Sequence, residues 1–250
     1  MERHCLLKIT NLTKIYGNRL VLNNINLDIE EGEILGIVGP SGAGKTTLLE
    51  CVVGFTKPEQ GDILLGVKNH NLGEVFIPTK KERDSSKFFG FAAQFPSFYN
   101  QLSVRENLYY FGSLYGIKKE TIKHNAEILI NLLGLAGEGD TIAGTLSGGM
   151  QKRLDIACAM VHGPRILILD EPTADLDPIS RKQMIELIKK INLNGTTIIM
   201  ASHMLQEIEE ICEKVAVLHE HKIQAVDSPQ SLKNKYNAKN LDSVFEAIIK

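Results

Sequence analysis

The chain has 250 residues, 43% of them hydrophobic, and 28 Lys and Arg against 30 Asp and Glu, a net charge of −2. That length suits one large domain or a core carrying a subdomain, and the balanced charge leaves no basic footprint for nucleic acid. Residues Met1 to Lys8 show no apolar signal-peptide region, and no apolar run reaches the ~20 residues of a membrane span. The four scattered cysteines, Cys5, Cys51, Cys158 and Cys212, form no Cys-x-x-Cys pair and read as reduced thiols of a cytosolic protein.

Residues 1–65 read as antiparallel strands followed by a strand, a turn and a helix. The apolar run Glu33 to Val38 predicts a buried strand, and Thr46 to Val53 the first turns of a helix. Between them stand Gly39, Pro40, Ser41, Gly42, Ala43, Gly44, Lys45, Thr46 and Thr47. Gly39 to Thr46 fits Gly-x-x-x-x-Gly-Lys-[Ser/Thr], the phosphate-cradling loop. A strand feeding a Gly-rich turn and a helix N-terminus aims backbone N–H groups at one point, where the helix dipole favours an anion. Gly42 and Gly44 let backbone approach phosphate without a Cβ in the way. Lys45 is placed to reach the β- and γ-phosphates, and the Thr46 hydroxyl to ligate Mg²⁺.

Residues 66–90 are polar and predict a surface loop or hairpin without chemistry. Ser103 and Glu106 have the spacing of a capping box, and Tyr109, Tyr110, Phe111 and Tyr115 are expected to pack in the core of the helix that follows, the alternative being that some of them edge a groove for a membrane partner. Ser147, Gly148 and Gly149 precede the apolar pattern Leu154 to Val161, a second donor-rich helix start able to hold a phosphate end. The run Ile166 to Leu169 predicts a parallel strand covered on both faces. It ends in Asp170 and Glu171, where ligands bind in open α/β sheets. Asp170 is the candidate Mg²⁺ holder, and Glu171 the candidate general base for an attacking water.

Asp177 and Pro178 start a helix to about Asn192, and Gly195 turns the chain into a strand, Thr197 to Met200. Met204 to Val215 is helical by spacing, with Leu205, Ile208, Ile211 and Cys212 on one face and Glu207, Glu209 and Glu210 on a solvated one. A tail helix spans Leu241 to Ile249.

The Ser-Gly-Gly segment just upstream of Ile166–Glu171, taken with the phosphate loop, resembles the signature sequence of ATP-binding cassette (ABC) ATPases, and the resemblance extends over nearly the whole chain. It implies an α/β fold, a P-loop NTPase (RecA-like) mixed-sheet core with an antiparallel β subdomain and an inserted helical subdomain. One domain over residues 1–250 would then contain a nucleotide-binding core (1–94 and 161–225), a helical signature subdomain (95–160) and a C-terminal tail (226–250). Tyr16 lies where the family stacks an aromatic on adenine. Gln94 resembles the Q-loop glutamine that contacts Mg²⁺ and water and links the site to the helical subdomain, Asp175 and Asp177 the D-loop, and His203 the histidine that senses the γ-phosphate.

The family pattern further implies ATP and Mg²⁺ as ligands. Two chains, identical or related, would pack head to tail, each site taking Ser147, Gly148 and Gly149 from the opposite copy. The run Gly-Gly-Met150-Gln-Lys-Arg, the segment Pro172 to Pro178 and the tail Leu-Asp-Ser-Val-Phe245 resemble the ABC-2 exporter group. The expectation is the ATPase subunit of an exporter, held on the cytoplasmic face of the membrane by a separate permease, with no nucleic acid partner. An importer ATPase is the near alternative. A soluble clamp on nucleic acid or ribosomes is the more distant one, disfavoured by a single cassette without sustained heptads. A sensor without turnover is disfavoured by Glu171 and His203. Three positions depart from the family pattern: Phe95 follows the Q-loop glutamine where an acid is common, Asp175 stands where Gly or Ala is usual, and the segment before Gln94 is long.

Overall fold

Alternation of buried and exposed side chains builds the first two elements. Strands β1 (Cys5–Tyr16) and β2 (Arg19–Glu30) form a long antiparallel hairpin in which Ile25, Leu27 and Ile29 point inward between outward polar residues. Asn11 and Asn24 take φ of 50° and 53°, and the register slips on both sides of Leu12, so the hairpin carries bulges that bend it. The structure, a computed structural model, describes residues 4–69, 73–79 and 85–249.

Strand β3 (Ile34–Val38) is buried at all five positions and runs through the phosphate loop into helix α1 (Lys45–Val53). Strands β4 (Gln60–Asn69) and β5 (Gly73–Pro78) complete an antiparallel sheet of order β2-β1-β4-β5. The segment expected to be a loop or hairpin is therefore a hairpin over much of its length; residues 70–72 and 80–84 of it lie outside the described residues.

Strand β6 (Phe89–Ala92) precedes helices α2 (Val104–Leu114), α3 (Lys119–Leu132) and α4 (Gly148–Met160). The capping box forms: Ser103 Oγ accepts from the Glu106 N–H at 3.2 Å, and the Glu106 carboxylate accepts from the Ser103 N–H at 2.8 Å. The aromatics that follow are not core. Helix α2 turns Val104, Asn107 and Leu108 inward, and consecutive helical residues fan out by about 100° each, so Tyr109, Tyr110 and Phe111 cannot all share that face. Tyr110 is exposed and meets Tyr99 edge-on with ring centroids 4.8 Å apart. Tyr115 lies flat on the His162 ring at 3.7 Å.

Strand β7 (Ile166–Asp170) is followed by helix α5 (Pro178–Leu193), whose start is capped by the Asp177 carboxylate accepting from the Ile179 and Ser180 N–H groups at 2.9 and 3.1 Å. Strand β8 (Thr197–Ala201) leads to helix α6 (Leu205–Ile211), strands β9 (Lys214–His219) and β10 (Lys222–Asp227), and helices α7 (Pro229–Lys235) and α8 (Leu241–Ile249). Helix α6 stops short of the expected Val215, because Cys212 is already extended and Val215 to Leu218 form a buried strand. Its acidic residues are not a uniformly solvated face either. Glu207 is buried, and Glu209 accepts from Lys233 Nζ at 2.5 Å and the Leu241 N–H at 2.9 Å, tying α6 to α7 and to the start of α8.

The chain divides into two compact units, residues 1–86 with 197–250, and residues 87–196. In the first, β3 lies between β8 and β9 and parallel to both, and β9 turns into β10 through Glu220 and His221, each at positive φ. In the second, β6 pairs parallel with β7, and Val104, Leu108, Ile122, Ala126, Leu154 and Ala157 form a helical core. All four cysteines are free thiols; burial pushes Cys51 up to about 11. Among the described residues no helix is long and apolar enough to cross a membrane.

Candidate nucleotide site

In the first unit the phosphate loop is the turn between β3 and α1. Its entrance admits only glycine: a Cβ on Gly39 would stand 2.4 Å from the Leu218 carbonyl oxygen. At its exit Gly44 is the N-cap of α1 with φ 105°, no side-chain cap hydrogen bond forms there, and the first turn holds no acidic residue. The helix therefore presents backbone N–H groups and the positive end of its dipole without a protein anion built in. Lys45 is buried, and its ammonium donates to the Gly39 carbonyl at 2.8 Å and the Pro40 carbonyl at 3.4 Å, which folds the side chain back along the loop. Thr46 is exposed at the same helix start. Pro40, Ser41, Gly42, Ala43 and Thr47 complete the turn, closed by the Ala43 N–H donating to the Pro40 carbonyl at 3.1 Å.

His203 follows β8, the parallel neighbour of β3, with Ile37 opposite Ala201. The loop and His203 thus leave the same edge of the sheet, the carboxyl end where open α/β sheets bind ligands. His203 is exposed. Tyr16 ends β1 and is 47% exposed, which rules out a core role; Lys14 Nζ stands 4.7 Å from its ring centroid. The hairpin carrying Tyr16 also carries Leu22, against which Gly44 packs: a Cβ there would meet Leu22 Cδ2 at 3.0 Å.

The second unit holds the carboxylates. Asp170 ends β7 and Glu171 follows it, both buried. Glu171 has φ 52°, a left-handed backbone that costs a non-glycine residue on the order of 1–2 kcal/mol. Such outliers persist where the surroundings over-determine them. Gln94 lies two residues past β6, the parallel neighbour of β7 with Ala92 opposite Leu169, so Gln94 and the carboxylates share one sheet edge. Gln94 is exposed, and its carbonyl accepts from Lys152 Nζ at 2.5 Å. Asp175 is exposed with φ 62°. Asp177 is occupied as the cap of α5, and the hydrogen bond to Ser180 holds its carboxyl below the usual range. Ser147 caps α4 by accepting from the Met150 N–H at 3.4 Å, and Ser147 and Gly148 are exposed.

Sequence reasoning missed the residues that hold these loops. Asn107, wholly buried, accepts from the Tyr99 N–H at 2.8 Å and donates to the Tyr99 and Ser103 carbonyls, each at 3.0 Å. Asp155 accepts from the Ser97 N–H at 2.8 Å and the Ser97 hydroxyl at 2.9 Å. The available signal was one of pattern: an acid amid Leu154, Ile156 and Ala157 interrupts an otherwise apolar face and needs a partner there.

A phosphate loop, a strand ending in paired carboxylates and a capped Ser-Gly-Gly helix start define an ATP-binding cassette. The chain belongs to the ABC transporter family, whose pattern it matches over residues 22–174; it is an ATP-binding, ATP-hydrolysing subunit of the kind that powers a transporter. It is 38% identical over 219 residues to the bacitracin transport ATP-binding protein BcrA of Bacillus licheniformis, covering 87% of this chain and 68% of that protein. It is 30% identical to the linearmycin resistance ATP-binding protein LnrL of Bacillus subtilis (strain 168), over 91% of this chain and 70% of the relative. With a Nod factor export ATP-binding protein I, that of Burkholderia lata, identity is 35% over 89% of this chain and 70% of the relative. Among solved structures, CbiO1 from Clostridium perfringens, part of the ABC transporter complex CbiONQ, superposes with a TM-score of 0.81 at 28% identity, covering 94% of this chain and 92% of that one. An ATP-binding subunit of an ABC transporter superposes at 0.83 with 22% identity, covering 98% of this chain and all of the other, which shows the P-loop NTPase fold.

Proposed function

We propose that this chain drives an exporter by ATP-dependent closure of a dimer of ATPase subunits, with the sequence-assigned residues in the roles given above. The observation that carries the reading is the phosphate loop: a helix N-terminus free of side-chain caps, a lysine folded along the turn, and a glycine no other residue can replace without displacing backbone. Lys45 neutralises β- and γ-phosphate charge, and the N–H groups from Gly42 to Thr47 cradle it. Tyr16 stacks on adenine. Glu171 orients and deprotonates the attacking water, Gln94 and His203 position it against the γ-phosphate, and Asp175 and Asp177 lie beside the opposite site.

Thr46, Asp170 and Gln94 supply a hydroxyl, a carboxylate and an amide, all hard oxygen donors, a set that suits Mg²⁺ held mainly by substrate phosphates. When bound, that ion would offset charge on the β- and γ-oxygens. Ser147, Gly148 and Gly149 start a capped helix whose donors face outward, and we assign them to the γ-phosphate of the partner copy. Residues 95–160 act as the helical signature subdomain between core segments 1–94 and 161–225, with 226–250 as a tail. Phe95, Tyr99 and Tyr110 are exposed apolar groups of the second unit and are assigned to the permease, which would hold the chain peripherally at the membrane. The export direction rests on the relatives named for bacitracin transport, linearmycin resistance and Nod factor export.

The test is phosphate release by the purified chain. Glu171→Gln keeps size and polarity but cannot take the proton, so turnover should fall by about 10²- to 10⁴-fold with ATP still bound. Lys45→Ala should lose binding itself. Parent-rate hydrolysis by Glu171→Gln would remove Glu171 as the base and with it the central step.

A further inference from the structure

Helix α4 does more than present Ser147. Its Lys152 and Asp155, three residues apart and so on one face, hold the two ends of a four-residue loop. Lys152 Nζ donates to the carbonyl of Gln94 at 2.5 Å. Asp155, 1% exposed, accepts both the N–H and the hydroxyl of Ser97, at 2.8 and 2.9 Å. Between these points Pro96 restricts Phe95 to extended backbone, and the Phe95 ring stands out 77% exposed.

We propose that Lys152 and Asp155 form a two-point clamp that makes the Gln94–Ser97 loop part of the signature helix, and that Lys152 is thereby a positioning residue for ATP hydrolysis. This rests on the role proposed above for Gln94. All three hydrogen bonds involve a charged group, and such bonds are short and strong. Lys152 is half-buried, so the cation is partly desolvated where it meets the loop. From Ser147 to Asp155 the chain is about 12 Å of continuous helix, a rigid connection. A contact made at Phe95 therefore displaces Gln94 and Ser147 together. The clamp also accounts for an acid and a base on the inner side of α4, where the apolar pattern alone has no use for them.

The experiment is hydrogen–deuterium exchange on the nucleotide-free full chain, beside steady-state kinetics, for the parent, Lys152→Ala, Lys152→Arg and Ser97→Ala. Loss of one charge-assisted bond should speed exchange over residues 95–99 by about tenfold in Lys152→Ala, with β7 and α2 unchanged. Lys152→Arg should restore protection to within about threefold, since it keeps the charge and a donor. Ser97→Ala, which leaves the Ser97 N–H bond in place, should give a smaller rise confined to the same peptide. In kinetics, Lys152→Ala should lower kcat about tenfold while KM and ATP affinity stay within about twofold, because the residue orients a group rather than binding nucleotide. Parent-rate exchange at 95–99 in Lys152→Ala overturns the clamp, and so does an equal rise across all of residues 87–196. A change in KM in place of kcat overturns the positioning role. If the parent itself releases no phosphate, the proposed function fails, and the exchange result still decides the clamp.

Discussion

Among single residues, Asp175 is one of the non-glycine positions that the described backbone holds at positive φ. It is exposed, at φ 62°, where glycine is relaxed and a side chain is not. Asp175→Gly should raise stability by about 0.5–1 kcal/mol, read as a higher urea midpoint with unchanged slope. No change would mean that the Asp175 side chain already offsets its backbone cost by a local bond. Tyr16 is the other informative residue. It is not a core residue, since nearly half of it is exposed and its ring keeps a cation at 4.7 Å. Stacking on a base is worth roughly 1–3 kcal/mol, so Tyr16→Ala should weaken ATP binding by about 5- to 150-fold in a direct titration. An unchanged affinity would leave Tyr16 with no nucleotide role.

Among elements, the junction of α2 with the end of α4 carries a built-in pH response. His162 lies beneath Tyr115, its Nε2 2.9 Å from the Phe89 carbonyl. Burial pushes its pKa down, only partly opposed by that carbonyl, from 6.5 to about 4. The folded state thus holds the ring neutral where the unfolded chain would protonate it. The unfolded state binds more protons, so stability is fully present above about pH 6.5 and is lost as pH falls toward 4. Each pH unit across that window costs up to about 1.4 kcal/mol, less the share screened by solvent. His162→Gln should flatten this part of a stability–pH curve measured by urea unfolding. A slope equal to the parent's would place the acid sensitivity elsewhere.

At the scale of the whole molecule, one cassette carries one phosphate loop and one signature, and the signature residues face outward from the helix they cap. Gly149→Asp separates the proposed trans role from a local one. A Cβ there meets Ser180 Oγ at 3.2 Å, an end that can rotate away, and a carboxylate in the first turn suits the helix dipole. The monomer should therefore fold and bind ATP as the parent does. Opposite a γ-phosphate from a second chain, the same carboxylate repels, so ATP-dependent dimers should vanish from size-exclusion profiles taken over a range of protein concentrations, and turnover with them. A variant that still dimerises and hydrolyses would refute the trans arrangement.

The sequence by itself determined the family motifs and most of the elements that carry them. Phosphate binding needs glycines, a lysine and a hydroxyl at fixed spacing, and helix starts need caps, so Gly39 to Thr46, Ser103 with Glu106, and Asp177 with Pro178 were legible from local order alone. The unbroken aliphatic runs at Ile34–Val38 and Ile166–Asp170 declared themselves as buried strands for the same reason. What needed tertiary structure was every question of which side chain meets a distant one. Periodicity ran α6 on to Val215, because a buried strand and an apolar helix face look alike over a few residues; pairing with β3 made it β9 instead. Glu207 read as solvated and is buried, and of three consecutive aromatics that read as core Tyr110 is exposed and Tyr109 and Phe111 are only half-buried. The clamp of Lys152 and Asp155 on Gln94 and Ser97 joins residues 58 apart in the chain. No local pattern encodes such a contact, since it exists only once α4 has packed against the loop that follows β6.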